Sequence, residues 1–212
     1  MKSGASVSSS VGPWLLAIVF GSLVVTVLAL YLTSRPPGDD SAEAGFARDM
    51  MVHHAQAVEM AGILHDKSVS PEMETLATDI ALTQQAQIGQ MQGWLAVWGL
   101  PMTGAEPPMA WMGHHTDGRM PGMATPEEIE ALREAPPEEA EKRFLRLMIP
   151  HHQAALPMAE AVLEETDRLE VRQLAGAIAA SQKAEIETMR DLLAERGAKP
   201  EGGSQPHGGH HH

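Results

Sequence analysis

Cysteine is absent from the 212 residues. That excludes a disulfide framework, a thiolate metal site and a thiol nucleophile, so any metal must be held by imidazole, thioether, carboxylate or backbone oxygen. Basic residues are also scarce: 15 Lys and Arg stand against 28 Asp and Glu, a net charge of −13. This balance argues against a nucleic-acid partner, since neutralising phosphates requires Lys and Arg. Glu-x-x-His occurs nowhere, which removes the ligand pattern of di-iron carboxylate bundles. Cys-x-x-Cys-His is missing too, and nothing marks a porphyrin pocket for His/Met axial ligation. Aromatic residues are only 4% of the chain, so its character comes from 14 Met and 11 His.

Those residues are concentrated in a duplicated stretch. Phe46, Arg48, Met50, His53, His54, Ala57, Met60 and Ala61 return in the same register as Phe144, Arg146, Met148, His151, His152, Ala155, Met158 and Ala159. The register continues without a gap from Glu72, Leu76, Ile80, Gln84, Ile88, Met91 and Leu95 to Glu170, Leu174, Ile178, Gln182, Ile186, Met189 and Leu193. The chain is therefore read as two copies of a helical hairpin, each with one His pair flanked by methionines.

The N-terminal part carries an uncharged apolar run, Trp14 to Leu32. As a helix it would reach about 28 Å, enough for the hydrocarbon core of a bilayer. The expectation is a single-pass anchor over residues 1–33, or a signal peptide if cleaved, with the remainder on the extracytoplasmic side. Residues 34–41, SRPPGDDS, read as a linker. Ser41 can cap a first long helix to about Lys67, and Ser70-Pro71 opens a second, which Gly99 and Pro101 close. Residues 99–125 show no helical period and read as a structureless crossover rich in Gly, Pro and Met. Thr125 with Glu128 forms a capping box for a short helix. Pro136-Pro137 restarts the chain into a third long helix, with kinks expected at Pro150 and Pro157. Asp167 with Glu170 is expected to cap a fourth, ending near Arg196. The fold class is all-α: a four-helix bundle over residues 42–199, followed by a His-rich tail over 200–212.

At 100° per residue, Met50, His53, His54 and Met60 share one arc with Phe46, Ala57 and Leu64, and so face the interior. Met148, His151, His152 and Met158 repeat the geometry. Gln84 and Gln182 interrupt the apolar stripes of the second and fourth helices and are expected to bond the non-ligating ring nitrogens. Thioether with imidazole suits Cu(I), and imidazole alone suits Cu(II) or Zn. The crossover adds Met102, Met109, Met112, Met120 and Met123 around His114 and His115, expected to form a weaker second site; the tail adds His207 and His210 to His212.

The segments MMVHHAQAVEMA and LMIPHHQAALPMA resemble the signature of the domain of unknown function 305 family. The resemblance covers roughly Ala44 to Lys199 and implies an extracytoplasmic, Met/His-rich, ferritin-like bundle, some of whose members bind copper. It implies metal ligation by Met50, Met51, His53, His54 and Met60 in the first copy and by Met148, His151, His152 and Met158 in the second. The first copy has Val52 where the family pattern has proline. The function expected is copper sequestration, tolerance or hand-over, without catalysis and with the metal ion and the membrane as partners. The alternatives are a metal-independent helical scaffold and a ferritin-like metal oxidase.

Overall fold

The computed structural model describes residues 12–33, 35–67, 69–114, 116 and 118–197, with the side chains of 13 and 29–33 left out. The described residues are all-α: α1 (Pro13–Thr33), α2 (Ala42–His65), α3 (Pro71–Trp98), a 3-10 turn (Ala110–Met112), α4 (Pro126–Glu134), α5 (Pro137–Glu165) and α6 (Leu169–Glu195). The chain divides into two compact units, 1–36 and 37–212.

In the first unit, α1 exposes Trp14, Leu16, Val19 and Phe20. Among the described residues no helix is long and apolar enough to cross a membrane. The anchor expected over Trp14 to Leu32 thus rests on the sequence run alone.

In the second unit, helix boundaries follow local chemistry. The Ser41 hydroxyl accepts from the Ala44 N–H at 3.2 Å and opens α2. Thr125 and Glu128 form the reciprocal capping box of α4, at 3.1 and 2.7 Å. Gly99, at φ 72°, closes α3 in a left-handed conformation that costs glycine little. Two expected caps are spent otherwise. Ser70 makes no side-chain cap; its hydroxyl accepts from Arg196 Nη2 at 2.9 Å and its N–H donates to Glu141 Oε1 at 2.6 Å. Arg196 Nε closes the triangle on Glu141 Oε2 at 2.6 Å, tying the start of α3 to α5 and to the end of α6. Burial works to raise the Glu141 pKa, but the Ser70 and Arg196 bonds prevail and hold it below the usual range. Asp167 does not cap α6. Arg168 occupies the N-cap, and its N–H donates to Thr166 Oγ1 at 3.1 Å. The kinks expected in α5 do not split it: the helix runs through Pro150 and Pro157, whose rings lie on its exposed face.

Helix α2 pairs with α3, α5 pairs with α6, the hairpins meet along α2 and α5, and α4 lies against both of these. The core is two apolar clusters. One holds Leu64 and Met60 of α2 with Phe144 and Met148 of α5. The other holds Phe46 and Met50 of α2 with Met158 and Val162 of α5. The early part of α2 therefore shares a cluster with the late part of α5 and the reverse, so the two run antiparallel. Each fully buried Leu, Phe or Met contributes about 1.5–3 kcal/mol. In sequence, the residues between the clusters are polar and buried: His53, His54, Gln84, Gln87, His151, His152 and Gln182.

Candidate metal centre

The centre of this polar layer is the contact of His53 on α2 with His151 on α5. Their rings lie 3.8 Å apart between centroids, tilted by 38°. They occupy the same position in the two copies, and a residue meets its own copy only near an axis that relates the repeats, as in an isologous contact. The next residue along each helix is turned by about 100° and reaches the helix of its own hairpin. His54 Nε2 lies 2.8 Å from Gln87 Oε1, and His152 Nε2 lies 2.6 Å from Glu185 Oε2.

Gln84 and Gln182 do not take the role expected of them. Their carboxamides are buried without a hydrogen-bond partner among the described residues, and Gln87 and Glu185, one helical turn on, hold the rings instead. The His53 and His151 nitrogens are also unpartnered, as is Nδ1 of both His54 and His152. A buried polar group without a partner costs about 1–3 kcal/mol, so this layer is an expensive construction for folding alone.

Its electrostatics keep His53, His54 and His151 neutral. Burial lowers the His53 pKa to about 4, with His152 adding to the effect; the Pro121 carbonyl opposes it, although neither ring nitrogen has a partner within hydrogen-bond geometry. Burial and then His53 lower His54 to about 3, against the Gln87 bond. Burial and the other three histidines hold His151 well below its ordinary value. A neutral imidazole is the form that ligates a metal.

The expected thioethers flank the layer on both sides. Met50, Met51 and Met158 lie in one apolar cluster, and Met60 and Met148 in the other. All five are buried. Among the described residues no three His, Asp or Glu side chains gather as one metal-ligand group. A metal here would need thioether or carboxamide donors besides imidazole, and thioether with imidazole is a soft set that fits a monovalent coinage metal.

The crossover is not structureless. Asp49 Oδ2 accepts from the Met109 N–H and from Trp111 Nε1, both at 2.8 Å. Burial raises the Asp49 pKa, against these two bonds. Gln56 bonds both backbone groups of Ala124, at 2.7 and 3.0 Å. Asp49 and Gln56 lie about one turn either side of His53, so α2 fastens the crossover over the centre at two points. Met109 and Met120 are buried, Met112 and Met123 half-buried, and Met102 and His114 exposed. Gly122, at φ 75°, lies so close to α5 that a Cβ there would meet Pro150 O and Ala154 Cβ at 2.5 Å. Gly45 makes similar room for Trp111. The helical period of the crossover is weak, but long-range bonds to α2 supply the order that period does not. The structure thus divides its expected site residues between core and surface, while His115 and the tail histidines lie outside the described residues.

Sequence reasoning missed Asp49, Gln56, Gln87 and Glu185. The repeat held a signal for the first two: the second copy has Leu147 and Ala154 there, so these polar residues serve something that only the first copy touches.

The model of the domain of unknown function DUF305 matches residues 43–193. The chain belongs to the DUF305 family. A DUF305 protein of Streptomyces coelicolor, described as a candidate secreted protein, is 46% identical; the match covers 82% of this chain and 100% of that one, with a TM-score of 0.74. CopM in its Cu(I)-bound form is 29% identical over 73% of this chain and 96% of its own, with a TM-score of 0.56. CopM is also known in Cu(II)- and Ag-bound forms. The uncharacterised mimivirus protein L153, from Acanthamoeba polyphaga mimivirus, is 39% identical over 56 residues, 26% of this DUF305 chain. The matched part spans 37% of that curated relative.

Proposed function

We propose that this DUF305 chain is an extracytoplasmic copper-binding protein that sequesters the metal or hands it over, without catalysis. The observation that carries the reading is the buried layer of unpartnered imidazole nitrogens around His53 and His151. A metal ion would recover the desolvation cost of those nitrogens. The copper- and silver-bound forms of CopM support the choice of metal. In this reading the four long helices form a ferritin-like four-helix bundle over 42–199. His53, His54, His151 and His152 supply imidazole, and Met50, Met51, Met60, Met148 and Met158 supply thioether. Met112, Met120 and Met123, with His114 and His115, form the weaker crossover site, and Cu(I) is favoured over Cu(II) and Zn. The N-terminal run serves as a membrane anchor or signal peptide; the uncharged stretch from Trp14 to Leu32 supports this, and the candidate secreted relative supports an extracytoplasmic place.

The test is metal analysis and Cu(I) titration of the chain with its tail histidines replaced. Replacing His53, His54, His151 and His152 with Ala is expected to abolish the tightest copper bound. Replacing Met91 and Met189 with Leu, which conserves core volume, is expected to leave it. Copper retained by the alanine variant and lost by the leucine variant would reverse the assignment of site and core.

A further inference from the structure

The two hairpins are near-copies, yet where each holds the outer histidine of its pair they differ by one functional group. The first copy offers His54 a carboxamide, Gln87, and the second offers His152 a carboxylate, Glu185. Both contacts use Nε2, and both leave Nδ1 buried and unpartnered. An amide oxygen or a carboxylate oxygen accepts only, so each Nε2 carries a ring proton, and in a neutral ring the lone pair then lies on Nδ1.

We propose that Nδ1 of His54 and of His152 are metal-facing nitrogens, and that Glu185 positions and polarises His152 so that the second-copy half of the centre takes a soft monovalent cation first. The proposal rests on the metal reading of the site and adds to it a direction and an order. A ring N–H donated to a carboxylate leaves the opposite nitrogen more electron-rich than one donated to a carboxamide. The cation otherwise meets neutral groups here: His53 and His151 across the seam, the carboxamides of Gln84 and Gln182, and the thioethers of the flanking clusters. Glu185 is 21% exposed at its side chain while His152 is fully buried, so the carboxylate links a buried ring to the rim of the layer. Gln87 and Glu185 occupy equivalent positions with similar contact lengths, so these two contacts differ in charge and not in geometry.

The experiment uses the full chain with its tail histidines replaced by Ala, labelled with 15N in the histidine rings, and Ag(I) as a diamagnetic probe. In the metal-free chain both His54 and His152 are expected as the Nε2–H tautomer. At substoichiometric Ag(I), Nδ1 of His152 is expected to shift before Nδ1 of His54. Glu185→Gln, which keeps the hydrogen bond and removes the charge, should weaken the first binding event by about tenfold or more. The double exchange Gln87→Glu with Glu185→Gln should reverse the order of the two rings, an effect that loss of structure would not produce. An Nδ1–H tautomer at either ring overturns the proposal. So does an order that the exchange leaves unmoved while Ag(I) still binds, and that result leaves the metal reading standing. Ag(I) that shifts no ring overturns both together.

Discussion

The rings of His53 and His151 meet at 3.8 Å between centroids, tilted by 38°, with both nitrogens of each ring unpartnered. Two neutral imidazoles in that position place unpartnered polar atoms between the two apolar clusters. The arrangement is unstable to protonation, because each ring that gains a proton places a charge against its neighbour in a low-dielectric interior. That sensitivity can be measured.

The metal-free protein is expected to lose stability on mild acidification. The folded-state pKa of His53 is about 4 and that of His54 about 3, both below the ordinary 6.5. For a depressed histidine the unfolded state binds the proton first. Its contribution is therefore complete above pH 6.5 and is lost as pH falls toward the folded value. For His53 the loss amounts to about 3 kcal/mol between pH 6.5 and 4. Urea denaturation of the metal-free chain across this window checks the sign; stability that stays flat or rises toward pH 4 would contradict the burial of neutral rings.

Gln84→Leu with Gln182→Leu is expected to stabilise the metal-free protein. Each substitution removes a carboxamide with no partner and puts an apolar side chain of similar size into its place, a gain of about 1–3 kcal/mol per site. Thermal unfolding of the double variant reads this directly. A lower midpoint than wild type would mean that the carboxamides are satisfied in solution.

Gly122→Ala is expected to detach the crossover from α5. The added methyl meets backbone and Ala154 at 2.5 Å, and the φ of 75° disfavours any side chain. The cost should be about 1–3 kcal/mol and should be local. Hydrogen exchange would show lost protection at the Ala124 amide, which Gln56 now holds, with α3 and α6 unchanged. Uniform loss across all helices would place the crossover within the main folding unit.

Arg196→Ala is expected to destabilise the chain more than any exposed arginine substitution, by roughly 3 kcal/mol or more. It leaves the mostly buried Glu141 carboxylate without its ion pair and frees the Ser70 hydroxyl. Arg143→Ala, whose pair with Glu139 is exposed on the same helix, should change stability by less than about 0.5 kcal/mol. Equal effects from the two would remove the case for a structural tie at that end.

The sequence by itself determined the helices and the duplication. Apolar residues spaced by three and four define a helix's buried face through its 3.6-residue period, and Gly99, Thr125 and Pro137 mark boundaries by local chemistry. The same period placed His53, His54, His151 and His152 on inward faces, and all four are buried. Which rings meet was left to the tertiary structure, because the helical period sets the face a side chain occupies but not which helix it meets or the register at which α2 and α5 cross. The choice of Gln87 and Glu185 over Gln84 and Gln182 was settled there too: the carboxamides one turn away are neighbours in sequence but make no hydrogen bond to a ring. The crossover also took its order from distant partners on α2, Asp49 and Gln56, and not from any period of its own. Local propensity acts within about a turn, whereas a hydrogen bond between residues 60 or 68 positions apart exists only once the helices have packed.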